Sequence, residues 1–514
     1  MNELAFEPIF LIGEFSLVTL IVVLALADIF QKPIFSLFNG SQKSMGLESR
    51  NKQASWIAGV GLVIVAALYF IYGRITSGEQ IILLHNSLKA GGGIYIGKIA
   101  LLSAGLLAVL MSSRYTLTQA IPAIDYYLLL CFSLLGALTL IAAENFLMIF
   151  LSLEMMSIPI YALVGLKRFN QRADESAMKY LMLGGFSSAF FLLGISFLYG
   201  ATGSLIVPGA LENIGNLFSI SHSLTNISTL LSGLGLIFIF VGLAFKVSMV
   251  PFHAWTPDVY EGAATPITAF MSVAVKLSAF AVILKIFAGS IAFAAFDSIL
   301  LGVFGFFALL TIIYGNSVAI VQTNVKRMLA YSSIAHAGYM ALAIAPMSHK
   351  IEAVQAVLFY GIGYIAMNML AFGVLVYLTH KDHYCETLDD LKGIARKYPG
   401  AAAMMAVAMF SLAGLPPAVG FVGKIQIFLQ LLDGQMYITA VIALLFSLVA
   451  LYFYINVIVV MYMQQRDEEM EDIRKQNIFP VWLSLALTAI FVILLGVLPS
   501  PLLNWSMKWA EMLF

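Results

Sequence analysis

Residues 245–280 read FKVSMVPFHAWTPDVYEGAATPITAFMSVAVKLSAF. Lys246 and Lys276 stand inside two apolar runs, joined by a turn that holds Pro251, His253, Trp255, Pro257, Asp258, Glu261 and Pro266. A lysine in hydrocarbon is costly unless it faces a partner or a wet cavity, so an intramembrane lysine marks a functional site by default. Two of them at similar depth on neighbouring spans suggest a relay of charge. The rest of the chain has to supply their partners.

That these runs are membrane spans follows from composition. The chain has 514 residues, 61% hydrophobic and 11% charged, against about 25% charged in a soluble domain. A formal net charge of +0 excludes a basic nucleic-acid footprint. Cys131 and Cys385 are the two cysteines, and with no CxxC pair the sequence offers no thiolate set for an iron–sulfur cluster or a structural zinc. No GxGxxG follows a strand, and no Walker motif occurs. The sequence therefore places no nucleotide, metal or redox centre in this chain.

Apolar runs long enough to cross a bilayer fall at roughly 9–31, 54–73, 92–112, 122–142, 146–166, 177–199, 228–250, 263–286, 298–320, 328–346, 353–379, 400–430, 435–463 and 478–498. The expected fold class is an all-α integral membrane protein of about fourteen spans. The first run mimics a secretory leader, with ALA at Ala25–Ala27, but Glu3 and Glu7 precede it and no lysine or arginine does. A leader needs a basic start and a shorter apolar run, so residues 9–31 read as a retained span.

Orientation follows from the loops. One alternate set carries Lys32, Lys43, Arg50, Lys52, Arg114, Lys167, Arg168, Arg172, Lys326, Arg327, Lys381, Lys392, Arg396, Lys397, Arg466, Arg474 and Lys475. The other carries Arg74, Lys89, Lys350 and Lys508. Basic loops stay on the cytoplasmic side, which puts both termini outside. Lys98, Lys179 and Lys285 lie near span ends, where a lysine can snorkel to the interface. Asp125 and Glu144 read as ordinary solvated interface charges.

Glu154 is the acid of the run FLMIFLSLEMMSIPIYAL, about eight residues from its nearer end. Buried alone it would be protonated and satisfied by a backbone carbonyl; beside a lysine it would stay ionised. The functional reading pairs it with Lys246, each setting the other's proton affinity. Pro251 breaks the span that carries Lys246, and a broken membrane helix survives only where protein or a cavity covers it. His253 either titrates near neutral pH or simply hydrogen-bonds at the break.

The run MFSLAGLPPAVGFVGKIQIF repeats this design, with Gly414, Pro416, Pro417, Gly420 and Gly423 incompatible with an unbroken helix and Lys424 just beyond the break. Interrupted helices at the seventh and twelfth positions are five spans apart. That odd offset is the mark of an inverted repeat, here two five-helix units, and points to a transporter. The boundaries this implies are 1–121 for a three-helix segment, 122–286 and 287–463 for the repeats, and 464–514 for a last helix and tail. Between the units, Ser332, Ser333, His336 and Tyr339 recur at helical spacing. Serines in membrane helices usually bond back to their own helix. His336 instead sits where a proton would pass from Lys276 toward Lys424, and imidazole can relay it.

The motifs LEMMSIPIYALVGL, FKVSMVPFHAWTPDVYEGAATPITAFMSVAVK, KRMLAYSSIAHAGYM and LAGLPPAVGFVGK, in this order, resemble the antiporter-like membrane subunits of respiratory complex I, relatives of the Mrp-type sodium/proton antiporter subunits. Within the family the N-type branch is most similar: the turn reads PDVYEG followed by VKLSAF, Lys424 stands where M-type subunits carry glutamate, and the tail is too short for the L-type lateral helix. The resemblance implies a proton-translocating membrane subunit of an NADH–quinone oxidoreductase. Glu154 and Lys246 would form the input pair, Lys276 the connecting lysine, His336 the tenth-span histidine and Lys424 the output residue. It also implies that NADH, FMN, iron–sulfur clusters and quinone are handled by partner subunits. Those partners would be a neighbouring antiporter-like subunit, small membrane subunits and a peripheral redox arm in a bacterial-type cell membrane. The alternatives are an Mrp-type antiporter subunit and a non-conducting structural subunit; four costly charges argue against the last.

Overall fold

The computed structural model describes residues 11–31, 43–75, 81–167, 170–220, 226–287, 297–346, 351–379, 385–465 and 478–513. Of the residues used above for the leader and the orientation, Glu3, Glu7, Lys32, Arg168, Lys350, Lys381, Arg466, Arg474 and Lys475 lie outside the described residues, as do the side chains of Lys43 and Arg74.

The described residues form nineteen helices. In chain order they are α1 (Ile12–Gln31), α2 (Lys43–Ile75), α3 (Gly92–Thr118), α4 (Ala123–Ala142), α5 (Phe146–Val164), α6 (Gln171–Thr202) and α7 (Val207–Ile220). Then follow α8 (Ile227–Val247), α9 (Trp255–Gly262), α10 (Thr265–Phe287), α11 (Asp297–Ala319), α12 (Val325–Leu342) and α13 (Ile351–Leu378). The last six are α14 (Ile394–Lys397), α15 (Pro399–Ala413), α16 (Val419–Asp433), α17 (Tyr437–Met463), α18 (Phe479–Val497) and α19 (Ser500–Leu513). Eleven are long and apolar enough to cross a membrane, and the chain is a multi-pass membrane protein. A short antiparallel hairpin, β1 (Ile81–Leu83) with β2 (Leu88–Ala90), departs from the all-α expectation.

Every run expected from the sequence holds a helix, because in hydrocarbon only a helix satisfies a lone segment's backbone internally. Asparagine sets several starts. Asn145, Asn170, Asn226 and Asn324 accept backbone N–H bonds at the first turns of α5, α6, α8 and α12, satisfying donors that a helix start leaves open. Two helices run through the inside of the bundle: α10 is buried along its whole length, and α13 from Ala356 to Leu378. They carry Lys276 and Tyr360, so the centre of the protein is where its charge is kept.

Both expected breaks are present. The seventh run stops at Val247, where Ser248 takes a left-handed conformation (φ 65°), and the chain resumes as α9 at Trp255. The break thus starts before Pro251. The twelfth run divides into α15 and α16, with Gly414 at φ 84° closing the first half. A Cβ there would lie 2.7 Å from Lys424 Cδ, so glycine is required twice, by conformation and by the lysine stem.

Candidate functional site

Lys246, Lys276 and Lys424 are 2%, 2% and 5% exposed, and none of the three has a carboxylate partner among the described residues. Lys246 Nζ donates to Ser157 Oγ at 2.8 Å and to the Tyr161 hydroxyl at 3.2 Å, and lies 5.8 Å from the centre of that ring. Lys276 Nζ donates to the backbone oxygen and the hydroxyl of Ser333. Lys424 Nζ donates to Ala413 O at 2.9 Å, Leu412 O at 3.2 Å and Ser447 Oγ at 2.9 Å, with the Tyr339 ring 5.2 Å away. Ala413 and Leu412 end α15, where a helix leaves carbonyls unbonded and its dipole favours a cation. Breaking the twelfth helix creates the seat for Lys424.

Between Lys276 and Lys424 runs a line of hydroxyls and one imidazole. Ser333 and His336 share a face of α12, three residues apart. His336 Nδ1 bonds the Tyr360 hydroxyl at 2.6 Å and Nε2 the Tyr454 hydroxyl at 3.1 Å, and Tyr454 also meets Ser332 Oγ. The Tyr260 hydroxyl of α9 reaches Ser333 Oγ at 3.4 Å, so the interrupted seventh helix touches the partner of the central lysine. Each hydroxyl can both donate and accept, the property that a proton relay needs. Tyr454→Phe removes the hydroxyl between Ser332 and His336. Leaving such a partner unbonded costs about 1–3 kcal/mol, so proton transfer through the subunit is expected to slow by roughly five- to a hundredfold. Turnover measured with and without an uncoupler checks it; coupled rates equal to the unmodified protein's would sink the line through Tyr454.

The expected Glu154–Lys246 ion pair is absent. Glu154 accepts from Ser188 Oγ on α6 and is half-buried, while Lys246 holds the Ser157 and Tyr161 hydroxyls. Glu154, Ser157 and Tyr161 lie along one face of α5, at i, i+3 and i+7. One helical turn separates the carboxylate from the lysine's partner, and two hydroxyls take the lysine's bonds in its place. His253 hydrogen-bonds none of the lysines. It packs edge-on against Tyr314 (ring centres 4.4 Å apart), its Nδ1 buried without a partner among the described residues.

Three charges expected at the interface, Lys285, Glu144 and Lys98, are instead buried in ion pairs. Lys285 Nζ lies 3.0 Å from Glu144 and donates to Ala143 O, with side chains 5% and 10% exposed, so these form a buried pair. Lys98 is 1% exposed and paired with Glu14. Lys179, its side chain 42% exposed near the start of α6, keeps its place at the interface and bonds Glu175 at 2.7 Å and Asp258 at 2.8 Å. Two loop cations are likewise structural. Arg114 is buried on Tyr377 O, and Lys326 Nζ, 1% exposed, clamps Glu261 O and Ala263 O beyond α9 at 2.8 Å each while pairing with Glu386. Sequence reasoning also passed over Ser157, Tyr161, Ser188, Ser447, Tyr360 and Tyr454, and it discounted Ser333 as bonding only its own helix. The spacing of hydroxyls on the faces that carry Glu154 and His336 was the available signal.

These interrupted helices, packed around buried lysines, define a membrane subunit of the antiporter class. The family profile described as "NADH:quinone oxidoreductase/Mrp antiporter, TM" matches residues 143–450, more than half the chain, and the chain belongs to that family. It is similar to NADH-quinone oxidoreductase subunit N of Paramagnetospirillum magneticum, 35% identical over 456 residues that cover 89% of this chain and 90% of that one. Subunit N of Moorella thermoacetica is 38% identical over 417 residues, covering 81% and 84%. Within the family the chain falls in the subunit N branch. A chain of respiratory complex I from Thermus thermophilus superposes with a TM-score of 0.75 at 29% identity, over 96% of this chain and 98% of that one. A chain of the Mrp complex from Dietzia gives 0.80 at 17% identity, over 100% and 98%, a likeness of fold alone. In complexes of this kind the redox cofactors lie in other subunits.

Proposed function

We propose that this chain is the proton-translocating N-type membrane subunit of a bacterial NADH–quinone oxidoreductase. The observation that carries the reading is the buried line Lys246, Lys276, His336, Lys424, each member held by hydroxyls or backbone oxygens and not locked to a carboxylate. NADH, FMN, iron–sulfur clusters and quinone belong to partner subunits. A neighbouring antiporter-like subunit and small membrane subunits flank this one, and a peripheral arm delivers the electrons. The chain crosses the membrane fourteen times with both termini outside. Its repeats, 122–286 and 287–463, are inverted, and each carries one interrupted helix with a lysine against the break. The N-terminal segment (1–121) precedes them in the chain and the tail (464–514) follows.

Glu154 and Lys246 switch between the separated arrangement of this structure and a paired one. Closing such a pair from about 8 to 4 Å at an effective dielectric near 20 gains about 2 kcal/mol, comparable to the roughly 2.3 kcal/mol for one charge against 100 mV. Quinone reduction elsewhere needs to supply no more than that bias. The family profile, whose description covers Mrp antiporters as well as the oxidoreductase, supports an Mrp-type antiporter as the second reading.

Reconstituting the complete complex in vesicles tests both. The expected result is NADH-driven proton translocation that ignores sodium and is lost in Lys424→Met. Translocation that demands sodium would favour the antiporter, and full translocation by Lys424→Met would overturn the assigned line.

A further inference from the structure

The N-terminal segment holds a charged site that the central line does not use. Lys98 on α3 pairs with Glu14 in the first turn of α1, their side chains 1% and 10% exposed. An apolar pair of the same volume would hold these helices as well or better, so adhesion does not explain it. The pair is also incompletely satisfied. Glu14 Oε2 and the Tyr69 hydroxyl lie side by side, each without a well-aligned hydrogen bond among the described residues. Buried groups left open in this way call for a specific explanation.

Tyr69 is built into that position. A Cβ on Gly13 would lie 2.0 Å from Tyr69 Cζ, so glycine beside Glu14 lets the ring lie against the backbone of α1. Lys98 Nζ stands 5.2 Å from the centre of this ring and 5.6 Å from that of Tyr95. Both tyrosines also line a cavity of about 1020 Å³ between α2, α3, α13, α18 and α19, whose other polar residues include Ser103, Thr488, Trp505 and Lys508. Tyr69 therefore stands between a space roomy enough for water and a buried carboxylate with one oxygen free.

We propose that Glu14 and Lys98 form a second proton-exchanging site, separate from the central line and served by this cavity. The proposal rests on the reading that the subunit handles protons. A hydronium ion in the cavity gives its proton to the Tyr69 hydroxyl as that hydroxyl passes its own proton to Glu14 Oε2, leaving a neutral water in the cavity and the tyrosine unchanged. Glu14 becomes a neutral acid. Lys98 keeps its charge because the faces of Tyr69 and Tyr95 hold an ammonium by cation–π attraction. The return step reverses each transfer. A sodium ion is not the ligand, since the ammonium already occupies the cationic place.

The test uses the complete complex in vesicles, with native gels to score assembly and proton translocation measured across the neutral pH range. Glu14→Gln keeps an acceptor for Lys98 but cannot take a proton. Translocation at fixed NADH oxidation is expected to fall at least about twofold, with a displaced pH profile. The double variant Glu14→Leu/Lys98→Met, which leaves no buried charge, is expected to assemble and show the same loss; it carries the test if Glu14→Gln does not assemble. A translocation yield and pH profile equal to the unmodified complex in whichever variant assembles overturns the site. Lys246→Ala is measured beside them. If it is inactive while the Glu14 variants are normal, this site alone falls; if all are normal, the proton reading of the chain falls with it.

Discussion

Lys246→Ala is expected to lower NADH-driven proton pumping at least about tenfold, a barrier change of about 1.4 kcal/mol, while the complex still assembles. The two halves of this expectation have different causes. Assembly survives because the groups left behind, Ser157 Oγ and the Tyr161 hydroxyl, are neutral; unpairing them costs about 1–3 kcal/mol, spread over an interface of many helices. Pumping is expected to fail because the proposed switch pairs this ammonium with the Glu154 carboxylate, and without it the switch has no second state. Lys246→Arg sharpens the point. Guanidinium keeps the charge but does not release its proton, so it too should assemble and not pump. Quenching of a pH-sensitive dye in vesicles, normalised to NADH oxidation, gives the number, and normal pumping by Lys246→Ala would remove the residue from the mechanism.

Glu144→Ala is expected to destabilise the folded subunit by about 3–5 kcal/mol, the usual cost of stranding one member of a buried ion pair. Lys285 would keep just its bond to Ala143 O at an interior site where it is 6% exposed. Loss of its proton would limit the cost to that of a buried amine. Glu144→Leu/Lys285→Met removes both charges and should return the subunit close to its original stability. Thermal aggregation of the detergent-solubilised complex separates the cases. A single variant as stable as the double would show that Glu144 and Lys285 are not energetically coupled. Neither residue is expected to alter pumping per electron, because neither hydrogen-bonds the line from Lys246 to Lys424.

The contrast between these lysine sites shows what a linear sequence exposes. Lys246, Lys276 and Lys424 were legible because an apolar run is a local property, and a charge within one has no local explanation. The breaks at Ser248 and Gly414 were legible for the same reason, since proline and glycine act on their own turn of backbone. Lys98 and Lys285 were misread because a position toward the end of a run fits either snorkelling or pairing. Distance along the chain cannot decide between them: Glu14 is 84 residues from Lys98, and Glu144 lies on the turn before α5 while Lys285 closes α10.

The line itself divides in the same way. From sequence alone came the membrane class, the helical runs, the two interrupted helices and the residues that carry charge, all fixed by hydrophobicity and backbone chemistry over a few turns. The tertiary structure decided which groups meet. Packing set Ser157 and Tyr161, not Glu154, against Lys246, placed Tyr360 and Tyr454 on either side of His336, and seated Lys424 on the open end of α15. Those contacts join helices far apart in the chain, and such pairings depend on how the faces of α5, α10, α12, α13 and α17 nest together. Residues 245–280 carry the two lysines and the break between them; the proton's route past them is a property of the bundle.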